Sequence, residues 1–304
     1  MVNKLRGTEK HIVLIDCGDF ASDDRGTVQE ITAEMTVKGM NGLMYDAVVL
    51  GPRDLSLGPT RLKALMGNAV FPAVTTNLVS GATGRLFGTG HVIVERGGMR
   101  VGIIGVMPER EVREAVPTYQ ERGLFKVLSV EEAVGKAVGE IRGKVDVLAL
   151  ISHEGYGETC RLVEKISGID VAISASDDRE TPPGVVPPTP VMKAAFRGTS
   201  LGYVTFEMRD GKAVLRERKK IDVDCSAPDI PEDPVVAALI GPDFEEKLAK
   251  LARERSAAEE SQVLKEAKEL WKLSPREYLE LEMKKGEGKE TAVPAGNPFL
   301  QKKQ

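Results

Sequence analysis

Histidine and cysteine are scarce in this chain of 304 residues. The three histidines limit any metal chemistry that depends on imidazole ligands. The three cysteines lie far apart and include no Cys-x-x-Cys pair, which argues against a disulfide framework, a cysteine-rich zinc site and haem attachment. We expect the cysteines to pack as small apolar side chains. These residues are His11, His91 and His153, and Cys17, Cys160 and Cys225.

A strong charge of one sign and long apolar runs are also absent. The 42 basic and 46 acidic residues give a net charge of -4 without a basic stripe, so the sequence offers no footprint for nucleic acid. No run reaches the roughly 18 apolar residues that a membrane-spanning helix needs, and residues 1–10 are too polar for a signal peptide. We therefore predict a soluble globular chain that binds no nucleic acid and spans no membrane.

Short apolar runs rich in Val and Ile alternate with segments of helical period over the first two thirds of the chain. This pattern is typical of an α/β fold whose strands are buried on both faces. Ser129 precedes Glu132 by three residues, the spacing of a capping box at a helix start. The predicted strands are residues 11–16, 47–50, 73–76, 91–95, 100–106, 145–151 and 171–174, and the predicted helices are residues 27–39 and 129–143.

The composition changes in the last third. Five prolines within residues 181–190 predict an irregular loop. Strands are then predicted at 191–196, 202–209 and 212–223, with Asp210 and Gly211 in a hairpin turn. Lys, Glu, Ala and Leu dominate afterwards, which predicts a charged helical extension over 241–285 and a loosely held tail over 286–304. The extension either contacts a partner or lies on its own domain with a solvated face.

Four segments carry motifs in a fixed order. Residues 12–19 end in Asp-Cys-Gly-Asp, and residues 40–51 read Met-Asn-Gly-Leu-Met-Tyr-Asp-Ala-Val-Val-Leu-Gly. Residues 145–155 form a strand that ends in Ser-His-Glu-Gly, and residues 168–173 form another. Together these motifs resemble the 5'-nucleotidase branch of the calcineurin-like metallophosphatases. The resemblance implies that residues 1–240 form a four-layer α/β/β/α sandwich of two mixed sheets.

The resemblance also carries over part of a metal site. The family uses two divalent ions to activate water and hold phosphoryl oxygens. Its bridging carboxylate corresponds to Asp19, and one histidine ligand corresponds to His153. The remaining ligand positions are mostly replaced, which makes this chain a degenerate member. They are Pro52, Arg53 and Asp54 in place of Asn-His-Glu, and Ala175, Ser176, Asp177 and Asp178 in place of Gly-His-x-His.

The family's opening strand, with its Asp-x-His motif, has no counterpart in residues 1–10. A vacant strand position exposes backbone groups that must pair with another segment or another chain. We therefore expect a non-catalytic binding or assembly module, whose protein partner or second copy contacts this position or the C-terminal helices. Relatives of the family are usually exported, so the resemblance makes a periplasmic or other exported location an expectation.

Two kinds of site remain as alternatives. Asp19, His153, Asp54 and Asp178 would form an oxygen-rich site for Mn²⁺, Mg²⁺, Ca²⁺ or Zn²⁺, and the chain would then be a metal-dependent phosphoesterase. Otherwise no cofactor is expected, Asp19 caps a turn, and His153 is a hydrogen-bonded relic. An anion such as phosphate would be held by arginines near the same strand ends. These arginines are Arg53, Arg179 and Arg197.

Overall fold

The structure is a computed structural model that describes residues 1–22, 26–116, 123–175, 189–194, 198–223 and 233–244, with scattered positions between 246 and 265. The chain divides into two compact units, Met1–Glu245 and Glu246–Gln304. All helices and strands with defined bounds lie in the first unit. No helix in the described part of the chain is long and apolar enough to cross a membrane.

Helices and strands alternate through this unit. The α-helices are α1 (Val2–Thr8), α2 (Thr27–Gly42), α3 (Pro59–Gly67), α4 (Glu109–Ala115), α5 (Val130–Ile141), α6 (Tyr156–Lys165) and α7 (Pro234–Ile240), with 3-10 helices at Pro52–Leu57 and Arg142–Lys144. The strands are β1 (Ile15–Asp16), β2 (Ala47–Val49), β3 (Ala73–Val74), β4 (Leu78–Ser80), β5 (Val92–Arg96), β6 (Met99–Val106), β7 (Phe125–Val127), β8 (Val147–Ser152), β9 (Val171–Ser174), β10 (Val191–Lys193), β11 (Ser200–Arg209) and β12 (Lys212–Asp222).

Two sheets form the centre of the fold. The first is the parallel sheet β1-β2-β3, and the second is the five-stranded sheet β10-β9-β8-β6-β5. The second sheet is parallel except for β5, which pairs antiparallel with β6. Two antiparallel pairs, β4-β7 and β11-β12, complete the described strands. Only the second of the two large sheets is therefore mixed.

Strand alternation sorts the core into three layers. Successive residues of a strand point to opposite faces. In β2, Val48 packs with the side chains of α2 and α3, whereas Val49 packs between the sheets with Ile103 and Ile151. On the far side of the second sheet, Leu150 packs with α5 and α6. This arrangement is the predicted α/β/β/α order of layers.

Element bounds agree with the sequence prediction best where the pattern is strong. The predicted hairpin at Asp210 and Gly211 is present, with φ of 48° and 74°. Ser129 caps α5 by accepting the Glu132 N–H at 3.4 Å. The prediction for residues 11–16 was too long, because ladder pairing is limited to Ile15–Asp16. Five α-helices were missed, namely α1, α3, α4, α6 and α7. The predicted loop at 181–190, the helical extension and the tail lie largely or wholly outside the described residues.

Gly105 sets the distance between the two sheets. It lies in β6 directly behind Val49 of β2, and a Cβ atom on Gly105 would come within 2.2 Å of Val49 Cγ1. Backbone strain is not the reason for glycine here, since Gly105 does not have a positive φ. The close approach of two packed sheets is what requires the missing side chain.

We expect Gly105→Ala to lower the free energy of unfolding by about 1–3 kcal/mol, because the added methyl overpacks the intersheet layer. Urea unfolding measures this change. Val49→Ala in the Gly105→Ala background should restore part of the loss, so that the double variant is more stable than the sum of the single effects. Gly139→Ala is the matched control. Its Cβ meets nothing within 4 Å on α5, and it should stabilise the helix by about 0.5–1 kcal/mol. A neutral Gly105→Ala would contradict the proposed packing.

Candidate functional site

The candidate site lies where β1, β2 and β8 end. Asp19 follows β1, Arg53 and Asp54 lie in the 3-10 helix after β2, and His153 follows β8. The carboxyl ends of parallel strands are the common place for ligands in α/β folds. The structure thus brings together four of the seven predicted site residues. Asp178, Arg179 and Arg197 lie outside the described residues.

Asp54 is fully buried, and its carboxylate joins two loops. Its Oδ2 accepts hydrogen bonds from the N–H groups of Gly51 at 2.9 Å and Asp19 at 3.0 Å. Its Oδ1 accepts the Ala21 N–H at 3.0 Å. Both oxygens therefore hold backbone groups that would otherwise be buried without an acceptor.

The Asp19 carboxylate in turn binds the loop that contains Asp54. Its Oδ1 accepts the Arg53 N–H at 2.8 Å, so each aspartate binds the backbone of the other's loop. Asp19 has a φ of 59°, an uncommon conformation for a residue other than glycine. Gly51 allows the contact, since a Cβ there would lie 2.2 Å from Asp19 Oδ1. Only a glycine fits at position 51 without moving the carboxylate.

His153 lies beneath this pair with only 1% of its surface exposed. Its Nε2 is 2.9 Å from the Cys17 carbonyl oxygen. Because a carbonyl only accepts hydrogen bonds, Nε2 carries the proton. The other ring nitrogen, Nδ1, lies 3.8 Å from Asp19 Oδ2.

Acidic groups crowd around these residues and shift one another's pKa values. Burial, and then the charge of Asp19, raise the pKa of Asp54 to about 8. Burial raises the pKa of Asp16 to about 6, and burial with Asp19 raises the pKa of Glu111 to about 7. The pKa of Glu154 is also raised, by burial and then by Glu158. The strand ends thus favour protonated carboxyl groups.

The sequence analysis did not identify Glu111 and Glu154 as acidic residues near the candidate site. Glu111 lies in α4, shortly after the end of β6, and Glu154 directly follows His153. Their position at the ends of buried strands was the available signal. Glu111 lies outside the motifs that carry the family resemblance, and Glu154 lies within Ser-His-Glu-Gly but was not among the ligand positions carried over from the family.

The described residues do not fit a centre for two metal ions. Asp54 already accepts three N–H groups, and Asp19 Oδ1 accepts a fourth. Pro52 offers no ligand, and an arginine cation such as Arg53 repels metal ions. Among the described residues, Asp19 Oδ2 and His153 Nδ1 are adjacent atoms of the kind that bind metal ions, 3.8 Å apart. No group of three or more His, Cys, Asp or Glu side chains that could hold a metal ion occurs within the described part of the chain.

The carboxylates of Asp19 and Asp54 connect the two loops. Of the three arginines predicted to bind an anion, only Arg53 lies within the described residues. Arg53 is partly exposed at the end of β2. Its backbone N–H is committed to Asp19. The metal and anion assignments stay predictions.

Proteins of similar sequence are 5'-nucleotidases. No family model matches the chain. A probable 5'-nucleotidase from Treponema pallidum (strain Nichols) is 28% identical over 182 residues, 57% of this chain and 29% of that protein. A snake venom 5'-nucleotidase from Naja atra is 27% identical over 271 residues, 79% of this chain and 49% of that protein. The chain thus spans less than half the length of these two relatives.

A solved structure supports the same relationship at the level of fold. The calcineurin-like phosphoesterase YfkN from Bacillus subtilis matches with a TM-score of 0.68 at 19% identity, over 83% of this chain and 88% of that chain. The sequence relatives and structural neighbours are 5'-nucleotidases and calcineurin-like metallophosphoesterases, which confirms the family resemblance and the fold class. An identity of 19% shows the fold alone.

The raised pKa of Asp54 makes stability depend on pH. Below pH 4 the carboxyl group is protonated in both the folded and the unfolded state. Between about pH 4 and 8 the unfolded chain loses this proton while the folded chain keeps it, so the free energy of unfolding falls as pH rises. One such proton gives a slope of about 1.4 kcal/mol per pH unit.

We expect Asp54→Asn to flatten this decline, since the amide does not titrate, although the variant loses one acceptor and is less stable at low pH. Urea unfolding at several pH values measures the slope. Asp146→Asn is the control, because Arg100 lowers the pKa of Asp146 and places its titration below this window. An unchanged slope in Asp54→Asn would show that Asp54 is ionised throughout.

Proposed function

We propose that this chain is a non-catalytic member of the metallophosphatase fold that acts as a binding or assembly module. The observation that supports the proposal is the pair of reciprocal bonds between the loops of Asp19 and Asp54. The carboxylates that the resemblance assigns to metal ions hold backbone N–H groups instead. These bonds join the two loops through groups of the chain itself.

Phosphoester hydrolysis in this family requires two ions that activate water and neutralise phosphoryl oxygens. Asp19 Oδ2 and His153 Nδ1 supply two donors for such a task, fewer than one ion ordinarily takes. Raised carboxyl pKa values in Asp54, Asp16 and Glu111 reduce the negative charge that would attract a cation. Each of these properties argues against hydrolysis.

One observation favours the alternative, a metal-dependent phosphoesterase with an altered oxygen-rich site. The Cys17 carbonyl fixes the ring of His153 so that Nδ1 faces Asp19 Oδ2. A hydrogen bond that orients the imidazole in this way is also typical of histidine ligands. Asp178 would have to add further oxygen ligands, and the divalent cation would be Mn²⁺, Mg²⁺, Ca²⁺ or Zn²⁺.

The open edge of β1 is the contact surface that we assign to the module. Leu14 uses both backbone groups towards β2, since its N–H donates to Asp46 Oδ2 and its carbonyl accepts the Asp46 N–H. The backbone groups of Val13 and Ile15 therefore point to the other side. No described strand pairs with β1 there. An extended segment of a partner or a second copy would add to this edge, and the charged C-terminal helices are a further predicted contact.

Metal content and hydrolysis distinguish the two functions. We expect elemental analysis of the purified chain to give far less than one equivalent of metal. Turnover of a nucleotide and of a generic phosphodiester in added Mn²⁺ should not exceed that of Asp19→Ala. Asp222→Ala, which removes an exposed carboxylate at the end of β12, is the control. Stoichiometric metal and turnover that persist in the control and vanish in Asp19→Ala would establish the phosphoesterase.

Proline at position 15 tests the β1 edge. Ile15→Pro removes the N–H that points to the open edge while leaving the bonds of Leu14 to β2. We expect the purified chain to self-associate with rising concentration in light scattering, and Ile15→Pro to weaken this association at least tenfold. Ile15→Val keeps the N–H and should behave like the parent chain. Equal association of the proline variant would place the contact elsewhere.

A further inference from the structure

A row of polar side chains crosses three strands of the second sheet. Ser174 of β9 is the register partner of Ser152 in β8 and of Lys193 in β10. Register partners in neighbouring parallel strands point to the same face of the sheet. On this face, the residues two positions earlier pack against α5 and α6. They are Leu150, Ala172 and Val191.

This row therefore faces the helical layer, on the opposite side of β8 from His153. Adjacent residues of a strand point to opposite faces. Accordingly, His153 reaches the Cys17 carbonyl on the intersheet side, whereas Ser152 Oγ accepts the Glu154 N–H at 3.2 Å. The polar row and the candidate site of Asp19 are thus separate.

All three side chains lie at the start of α6. Ser152 binds Glu154, two residues before the helix. Lys193 places its Nζ 5.9 Å from the centroid of the Tyr156 ring, in the first residue of the helix. Ser174 lies between Ser152 and Lys193 on the same face, so its hydroxyl is on the side of the sheet that α6 covers.

Ser174 is the member of the row that indicates a ligand. Its residue is 0% exposed, and its Oγ has no hydrogen-bond partner. Buried hydroxyl groups are nearly always hydrogen-bonded, because an unsatisfied one loses its bonds to water. The other hydroxyl of the row, Ser152 Oγ, already accepts a backbone N–H.

The start of α6 adds donors of its own. The helix has ten residues, and Gly155 at its N-cap, with a φ of 86°, provides no capping side chain. The first backbone bond of this turn runs from the Thr159 N–H to the Gly155 carbonyl at 3.0 Å. The N–H groups of the three preceding residues therefore point out of the helix, at the positive end of its dipole.

We propose that the first turn of α6, Ser174 and Lys193 form a binding site for a phosphate-like oxyanion. The Ser174 hydroxyl donates one hydrogen bond, the helix N–H groups donate others, and the Lys193 ammonium supplies charge. This site is independent of the proposed function, because it uses no residue of the Asp19 and His153 arrangement.

The acid of the first turn is paired with a base, and a further base lies nearby. Glu158 of the first turn forms an ion pair with Arg161. Arg218 of β12 adds a positive charge near Tyr156, whose pKa it lowers against the larger effect of burial.

Calorimetric titration of the full chain with inorganic phosphate tests the site. The titration is made in EDTA, so that metal-bound phosphate does not contribute, and at constant ionic strength. We expect saturable binding, and Ser174→Ala and Lys193→Met should each weaken it about tenfold, as expected for the loss of one bond to a charged group. Lys165→Met, at the other end of α6, should bind like the parent chain. A parallel titration with methyl phosphate distinguishes a phosphomonoester ligand from free phosphate.

The free energy of unfolding without phosphate gives a second measurement. Ser174→Ala removes a hydroxyl without a partner, so its urea unfolding should show equal or greater stability. Absence of phosphate binding by the parent chain would overturn the proposal. So would binding by Ser174→Ala and Lys193→Met that is as tight as that of the parent chain. So would a loss of stability in Ser174→Ala with unchanged phosphate affinity, because the hydroxyl would then have a structural partner.

Discussion

The Asp54 carboxylate is the constraint on which the strand-end region depends. It lies at full burial between the loop after β1 and the loop after β2, and it accepts N–H groups from both. Without it, three buried donors would lack an acceptor. The same bonds hold Asp19 at a positive φ, and thereby place Asp19 Oδ2 near His153. The geometry of the site is thus a consequence of how two loops are joined.

The strand-end loops and the core of the fold are held by different interactions. In the loops, the two aspartates bind backbone N–H groups. The core layers are apolar and include Val49, Ile103 and Leu150.

Periodicity and motif order predicted the fold class, most strands of the second sheet and the convergence of Asp19, Asp54 and His153. These features follow from local patterns, since buried parallel strands are apolar runs and their carboxyl ends meet at one edge. The position of Asp19 Oδ1 could not be predicted, because it depends on the close approach that Gly51 allows. The short length of β1 also could not be predicted, because it depends on which neighbouring strand pairs with it and not on the local sequence.

Strand alternation gives the sequence Ser152-His153 two separate environments. His153 faces the intersheet layer, where Cys17 and Asp19 hold its ring, and Ser152 faces the helices beside Ser174 and Lys193. One strand end therefore contributes to two polar regions, one on each face of the sheet. A substitution on one face need not alter the other, because β8 itself is fixed by apolar contacts on both sides. The polar residues on the two faces of β8 can therefore change independently of each other.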